Sequence, residues 1–156
     1  MQHQLLKLIN EQHIAVDLCA ESNREAIQRV CYILARTGDI REKYWEDVYK
    51  REKEFPTGLP TFPVAVAIPH ADPDHVVRTA VAIGVLKSPV LFRQMGADPS
   101  KTLQVWIIFL LAIKEREKQV DLLQGLMKLV QDKDLLKKIL DSQAPSSVLK
   151  AIKESK

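Results

Sequence analysis

The most apolar part of the chain runs from Leu103 to Leu111. Apolar side chains at successive positions are typical of a strand that is buried on both faces of a sheet. The continuous apolar run, residues 105–113, is also too short to cross a bilayer as a helix. The segment therefore predicts a central strand of a sheet, around which the other elements must pack.

Helices are predicted before and after this strand. Ser22–Glu25 has the form of a capping box, in which side chains satisfy free N–H groups at a helix start, and Gly38 is a stop signal. The first twelve residues are expected to form either an N-terminal extension or a short helix. Apolar residues at helical spacing predict further helices over residues 40–53, 120–130 and 132–140, and a last one that begins at Pro145. In the first of these, Tyr44 and Val48 are expected to face the core.

Shorter strands are predicted over residues 14–18, 64–68 and 79–86. Lys87-Ser88-Pro89 is expected to break the third of them and to leave residues 90–92 as a short edge strand. Several strands thus follow one another before residue 111 with no helix between them. This order favours a mixed sheet over a purely parallel one.

Length and composition predict one soluble globular domain, residues 1–156, with 46% hydrophobic and 28% charged residues. The net charge of +3 is too small to indicate nucleic acid. The N-terminus is too polar for a signal peptide, so we expect a cytoplasmic domain with no direct membrane insertion. Cys19 and Cys31 are expected to be buried small apolar residues and not to form a disulfide.

The chemistry is expected in residues 50–71. Pro69 has no N–H to donate to a strand ladder, so the strand over residues 64–68 should end there and deliver His70 to the rim of the sheet. A histidine in such a place can act as nucleophile, acid–base group or metal ligand. His75 is the only other candidate ligand nearby, so no metal site is predicted.

Three residues upstream could support His70. Arg51 offers a positive fork that suits a phosphoryl or carboxylate group. It could instead only complement the dipole at a helix C-terminus. Thr57 and Gly58 add a hydroxyl and a backbone N–H that a ligand could approach.

A family resemblance rests on these residues. Arg51-Glu52, Phe55-Pro56-Thr57-Gly58-Leu59 and Ala67-Ile68-Pro69-His70 resemble the type 2 enzyme IIA domain of the bacterial phosphoenolpyruvate-dependent sugar phosphotransferase system. The likeness extends over about residues 5–152 and is closest to the galactitol-type branch. It implies an α/β fold, with a mixed, mainly five-stranded sheet and helices on both faces.

The resemblance also implies roles for site residues. In that family the histidine matching His70 carries the phosphoryl group on Nε2, and the arginine matching Arg51 lines the site. Many relatives have a second histidine at the head of the third helix, where this chain has Gln119. A glutamine can donate a hydrogen bond to phosphate, but it cannot carry a proton charge. Thr57, Gly58 and Gln119 are possible phosphate contacts.

The implied function is a phosphotransferase of the phosphohistidine relay. His70 would accept the group from the histidine-containing phosphocarrier protein and pass it to a cognate IIB protein. The membrane IIC subunit would couple transfer to entry of a sugar alcohol, with galactitol as the substrate guess and no cofactor. One alternative is a regulatory phospho-acceptor of the same superfamily. Another is a protein-binding module in which His70 is inert.

Two further predictions concern the surface. Phe55, Leu59 and Phe62 are candidates for an apolar ring around His70 that protein partners would contact, or they could fold onto the core. The histidines outside the motif are expected to lie on the surface: His3, His13 and His75.

Overall fold

The computed structural model describes residues 2–155, and the side chains of residues 4–155. His3 therefore lies outside the described side chains. The helices and strands follow one another along the chain in this order: α1 Gln2–Lys7, β1 Ile14–Leu18, α2 Asn23–Arg36, α3 Tyr44–Glu54, β2 Gly58–Leu59, β3 Ala65–Ala67, β4 Ala80–Arg93, β5 Thr102–Ala112, α4 Gln119–Leu129, α5 Lys133–Asp141 and α6 Pro145–Glu154.

The five strands form one mixed sheet in the order β1-β4-β5-β3-β2. β1 pairs with β4, and β3 with β5, in parallel. β4 pairs with β5, and β2 with β3, in the antiparallel sense. The predicted mixed sheet is confirmed, and so is the central place of the strand over residues 103–111.

Two hydrophobic cores lie on opposite faces of the sheet, because side chains of a strand point alternately to either side. Ile107, Phe109 and Leu111 of β5 pack with α4, α5 and α6. Ile108 and Leu110 pack with α2 and α3 on the other face. Helices on both faces are thus confirmed. No helix in the described part of the chain combines the length and apolar character needed to cross a membrane.

The predicted helix signals act as expected. The Oγ of Ser22 accepts a hydrogen bond from the backbone N–H of Glu25, with an N···O distance of 3.1 Å. The Glu25 carboxylate in turn accepts from the N–H of Glu21, one residue earlier than in the usual capping box. Gly38 follows α2 with a φ of +78°, a left-handed conformation that favours glycine.

The predicted break at Lys87-Ser88-Pro89 is wrong. β4 continues through these residues, and the predicted short strand over residues 90–92 is its second half. The register shifts between Val85, which pairs with Ile107, and Val90, which pairs with Val105. Extra residues of β4 therefore bulge out of the ladder. Proline has no N–H to donate to the ladder, and a bulge is a place where none is needed.

The helix predicted from residue 40 begins only at Tyr44. Ile40 forms an antiparallel bridge with Val76, and this pairing holds the chain extended. Cys31 is buried as expected, but Cys19 is exposed. The reason is local: Asp17 has a φ of +52°, and the ladder between β1 and β4 is irregular here, so the chain turns away from the core after β1.

The prediction that His13 lies on the surface is also wrong. Its Nε2 lies 2.8 Å from Oδ2 of Asp39, and both side chains are buried. Asp39 also pairs through Oδ1 with Nε of Arg78, at 3.0 Å. Sequence spacing cannot show this cluster, because its members lie far apart along the chain. His75 is half-buried and hydrogen-bonded through Nδ1 to Asp47.

Candidate functional site

His70 lies just beyond β3, at the end of its ladder with β5. The backbone N–H of Leu111 donates to the carbonyl of Pro69, with an N···O distance of 3.1 Å, and His70 itself faces Leu111 in a single parallel bridge. β3 itself ends at Ala67, before the predicted end at Ile68, and His70 makes one further bridge to β5 after the proline. The residue is more enclosed than expected, since only 8% of its surface is exposed.

One hydrogen bond fixes the protonation of the His70 ring. Nδ1 lies 2.9 Å from the carbonyl oxygen of Ile68. A carbonyl can only accept, so Nδ1 must carry the proton, and Nε2 keeps its lone pair in the neutral ring. Burial, aided by the charge of Arg51, lowers the pKa of His70 below its ordinary value, although the Ile68 carbonyl and Asp72 oppose the shift. The ring is therefore neutral at pH 7.

Arg51 lies in the last turn of α3 and faces the same region. Its guanidinium carbon lies 5.2 Å from the centre of the Phe55 ring, within cation–π range. Its Nε is buried and finds no hydrogen-bond partner in the described part of the chain. A buried donor without a partner is unfavourable. This nitrogen is closed to solvent, so a ligand would meet Arg51 through the part of the side chain that lines the neighbouring cleft.

A cleft of about 250 Å³ adjoins Arg51. Ala71 and Asp72, which directly follow His70, form part of its wall, as does Phe55. The other lining residues are charged: Asp47, Lys50, Glu54 and Asp74. The structure thus brings Arg51 and the segment of His70 together at one opening.

Glu52, next to Arg51, has a different partner. Its carboxylate accepts from the N–H and from the hydroxyl of Thr57, each at an N···O or O···O distance of 2.8 Å. Burial raises the pKa of Glu52 to about 7, although both hydrogen bonds from Thr57 favour the ionised form. The pair ties the end of α3 to the loop before β2. Sequence analysis found both residues but not their contact.

The other predicted phosphate contacts lie as follows. The Thr57 hydroxyl is buried and committed to Glu52, which disfavours a phosphate contact. Gly58 is needed for packing, since a Cβ there would lie 2.6 Å from the carbonyl oxygen of Arg93. Gln119 is the half-buried first residue of α4, and no described hydrogen bond joins it to His70. Their roles toward a ligand stay predictions.

Sequence analysis gave Tyr44 only a place in the core. Its hydroxyl accepts from the backbone N–H of Ala71, at 3.2 Å, and lies 3.2 Å from the carbonyl oxygen of Leu111. Tyr44 and Arg51 are seven residues apart, so they share one face of α3. Within residues 2–155 no cluster of three His, Cys, Asp or Glu side chains could hold a metal ion.

Two sequence relatives of this chain are components named for different sugars. The fructose-specific EIIABC component of Bacillus subtilis (strain 168) is 21% identical over 154 residues, which are 96% of this chain and 23% of that protein. The galactitol-specific EIIA component of Escherichia coli (strain K12) is 27% identical over 103 residues, which are 66% of this chain and 67% of that protein. The chain thus spans about a quarter of the first relative.

Solved structures share the fold. Nitrogen regulatory protein IIA-Ntr from Neisseria meningitidis has a TM-score of 0.77 and 22% identity, with 96% of this chain and 99% of that chain covered. A complex of enzyme IIAMTL and phosphorylated enzyme IIBMTL from Escherichia coli contains a chain with a TM-score of 0.74 and 20% identity, with 94% and 98% covered.

The decisive match covers nearly the whole chain. The family model described as "Phosphoenolpyruvate-dependent sugar phosphotransferase system, EIIA 2" matches residues 7–155, which include the motif residues and every strand of the sheet. The chain therefore belongs to the EIIA 2 family of the phosphoenolpyruvate-dependent sugar phosphotransferase system and is a phosphotransferase component of the IIA type.

Proposed function

We propose that this chain is a phosphoryl relay protein that carries the phosphoryl group on Nε2 of His70. The observation that carries the proposal is the hydrogen bond from Nδ1 of His70 to the Ile68 carbonyl. It leaves a neutral ring whose lone pair is on the other nitrogen. The depressed pKa of His70 keeps that lone pair free at neutral pH.

In this scheme, the step in which His70 accepts the phosphoryl group needs no cofactor. The Nε2 lone pair of His70 forms a bond to phosphorus while the bond between phosphorus and the donor's nitrogen breaks. The donor nitrogen keeps the electron pair of the broken bond. The His70 ring keeps its Nδ1 proton and gains positive charge, which the Ile68 carbonyl stabilises. In the passing step the Nε2–P bond breaks, its electrons return to Nε2, and the ring is neutral again.

Arg51 stabilises the transferring group in this scheme. Phosphoryl transfer places charge on the equatorial oxygens, and fixed positive donors lower its barrier. Arg51 lines the cleft beside the His70 segment, and stacking on Phe55 restricts its side chain. A phosphate in the cleft would accept hydrogen bonds from the terminal N–H groups of the guanidinium. This supports a catalytic role over one confined to the helix dipole.

Two protein partners would use the site in turn. We propose the histidine-containing phosphocarrier protein as donor and a cognate IIB protein as acceptor, in the cytoplasm. The complex of enzyme IIAMTL with phosphorylated enzyme IIBMTL supports the second partner by analogy of fold. The membrane IIC subunit would take part only indirectly, through IIB.

The sugar is the least constrained part of the proposal. We retain a sugar alcohol, with galactitol first, because of the Phe-Pro-Thr-Gly-Leu string and the galactitol-specific relative. A fructose-specific relative is also similar, so the sugar is not decided by these matches. The alternative is regulation by phosphorylation state, which the fold of IIA-Ntr allows. Genes for IIB and IIC beside this one would favour transport.

The exposed fractions of the candidate apolar side chains help to define the docking surface for the protein partners. Phe55 and Phe62 are 59% and 72% exposed, whereas Leu59 is 8% exposed and part of the core. Of the two alternatives for Leu59, the structure therefore favours packing onto the core over contact with a partner. Phe55 lies at the cleft beside Arg51. We propose that Phe55 and Phe62 are apolar contacts for both partners, which then bind competitively.

Replacing His70 by glutamine should abolish phosphorylation by the phosphoenolpyruvate-driven donor relay, because no other group supplies the Nε2 lone pair at this place. Acid-labile, base-stable labelling with ³²P measures the modification, and circular dichroism confirms the fold. His75→Gln is the matched control and should label like the natural protein. Labelling of His70→Gln at the natural level would contradict the assignment.

Arg51→Ala should slow phosphoryl acceptance by roughly 100-fold or more, the loss typical of removing one donor to developing charge. Its unfolding free energy should change by no more than about 1 kcal/mol, the scale of a helix-end dipole contact. Rapid-quench labelling and thermal melts measure the two effects. Lys53→Ala, which removes an exposed cation from the same last turn of α3 but outside the lining of the cleft, is the control and should react normally. Near-normal transfer with a clearly lowered melting temperature would leave Arg51 a structural role only.

Phe62→Ala should weaken binding of both the phosphocarrier and IIB, by an amount within the range of about 1–2 kcal/mol for interface aromatics. Titrations followed by chemical shifts in ¹⁵N-labelled protein give both affinities and both footprints. Leu91→Ala, which also removes an exposed apolar side chain, should leave binding unchanged. Separate footprints, or two that avoid the Phe55–Phe62 loop, would refute a shared surface.

A further inference from the structure

The hydroxyl of Tyr44 lies inside the backbone ladder at His70. It lies 3.2 Å from the backbone nitrogen of Ala71, which donates to it, and 3.2 Å from the carbonyl oxygen of Leu111. The Ala71 carbonyl, at 3.5 Å, is a more distant second acceptor. Tyr44 is fully buried, and burial raises the pKa of its hydroxyl above the ordinary value, so the proton stays available for donation.

The contacts of the Tyr44 hydroxyl stand where one hydrogen bond of the parallel ladder would otherwise form. Before His70, the N–H of Leu111 donates to the carbonyl of Pro69. In a regular parallel pairing the next bond would join the N–H of Ala71 to the carbonyl of Leu111. The tyrosine hydroxyl accepts from the first of these groups and donates to the second. It therefore bridges the two backbones on the C-terminal side of His70.

We propose that Tyr44 is a positioning residue for His70. Its hydroxyl fixes the backbone immediately after the histidine at a defined separation from β5, and this orients the ring so that Nδ1 reaches the Ile68 carbonyl. The residue touches no reacting atom in this scheme, and its effect on transfer rests on the function proposed for His70. Its effect on the ring does not.

The placement of Tyr44 also couples two parts of the site. Tyr44 and Arg51 lie on one face of α3, separated by two helical turns. The bridge holds α3 against the segment that follows His70, and α3 carries Arg51 to the cleft. A loss of the hydroxyl should therefore disturb both the imidazole and its distance from the guanidinium.

Tyr44→Phe is the direct test, because it removes one oxygen and keeps the ring that fills the core. Without the hydroxyl, the N–H of Ala71 and the carbonyl of Leu111 must pair directly or remain unpaired. Direct pairing would draw the two backbones together and move His70, and unpaired groups would leave the segment after His70 without its restraint. Tyr49→Phe is the matched control on the same helix. Its half-buried ring lies under the Lys53 ammonium group, and its hydroxyl makes no described hydrogen bond.

Two readouts are compared in both variants. Long-range ¹H–¹⁵N spectra report the tautomer of the His70 ring, and rapid-quench labelling reports phosphoryl acceptance. Tyr44→Phe should lose the pure Nδ1–H tautomer and slow acceptance by about 10- to 100-fold, the effect of a displacement near 1 Å. Tyr49→Phe should change neither. A natural tautomer and rate in Tyr44→Phe, with only a lower melting temperature, would overturn the proposal.

The natural protein provides a second test if Tyr44→Phe does not fold. A bridging hydroxyl proton should exchange slowly with water and show a nuclear Overhauser effect to the Ala71 amide proton. A rapidly exchanging hydroxyl would also overturn the proposal. Labelling that persists in His70→Gln would instead refute the relay function while the spectra still decide the role of Tyr44.

Discussion

The site depends on the hydrogen bond between Nδ1 of His70 and the carbonyl of Ile68. It selects one tautomer, leaves the lone pair on Nε2, and would stabilise the positive charge that the proposed phosphorylation brings to the ring. The bond forms just beyond the end of β3 at Ala67. Pro69 offers no N–H, and its carbonyl accepts from the N–H of Leu111 in β5. Burial of the ring lowers the pKa of His70, although the hydrogen bond to Ile68 opposes this shift.

Helix α3 organises what surrounds the histidine. Three of its residues contact three different parts of the site. Tyr44 bridges the backbone after His70, Arg51 lines the cleft, and Glu52 holds the loop through Thr57. Neighbouring residues of a helix point in different directions, so Arg51 can border the cleft while Glu52 binds the loop. With the role proposed for Arg51, the Arg-Glu pair would be one motif with two separate physical tasks.

The sheet, its central strand and the position of His70 after a strand could be predicted from the sequence. They follow from apolar runs and from the missing N–H of proline. They could not give contacts between distant segments, such as His13 with Asp39. The same limit hid the hydroxyl of Tyr44, which sequence spacing assigned only to the core. A register bulge in β4 likewise depends on pairing with β5, so Pro89 alone wrongly indicated a break.

The central claim is that His70 is a neutral Nδ1–H imidazole whose Nε2 takes the phosphoryl group. The direct measurement is a long-range ¹H–¹⁵N and ³¹P study of the histidine-labelled natural protein, before and after phosphorylation by the donor relay. The account predicts the Nδ1–H tautomer at pH 7, a pKa below the ordinary histidine value, and phosphorus coupled to Nε2 of His70 afterwards. A proton on Nε2 at pH 7, or phosphorus on Nδ1 or on another residue, would contradict it.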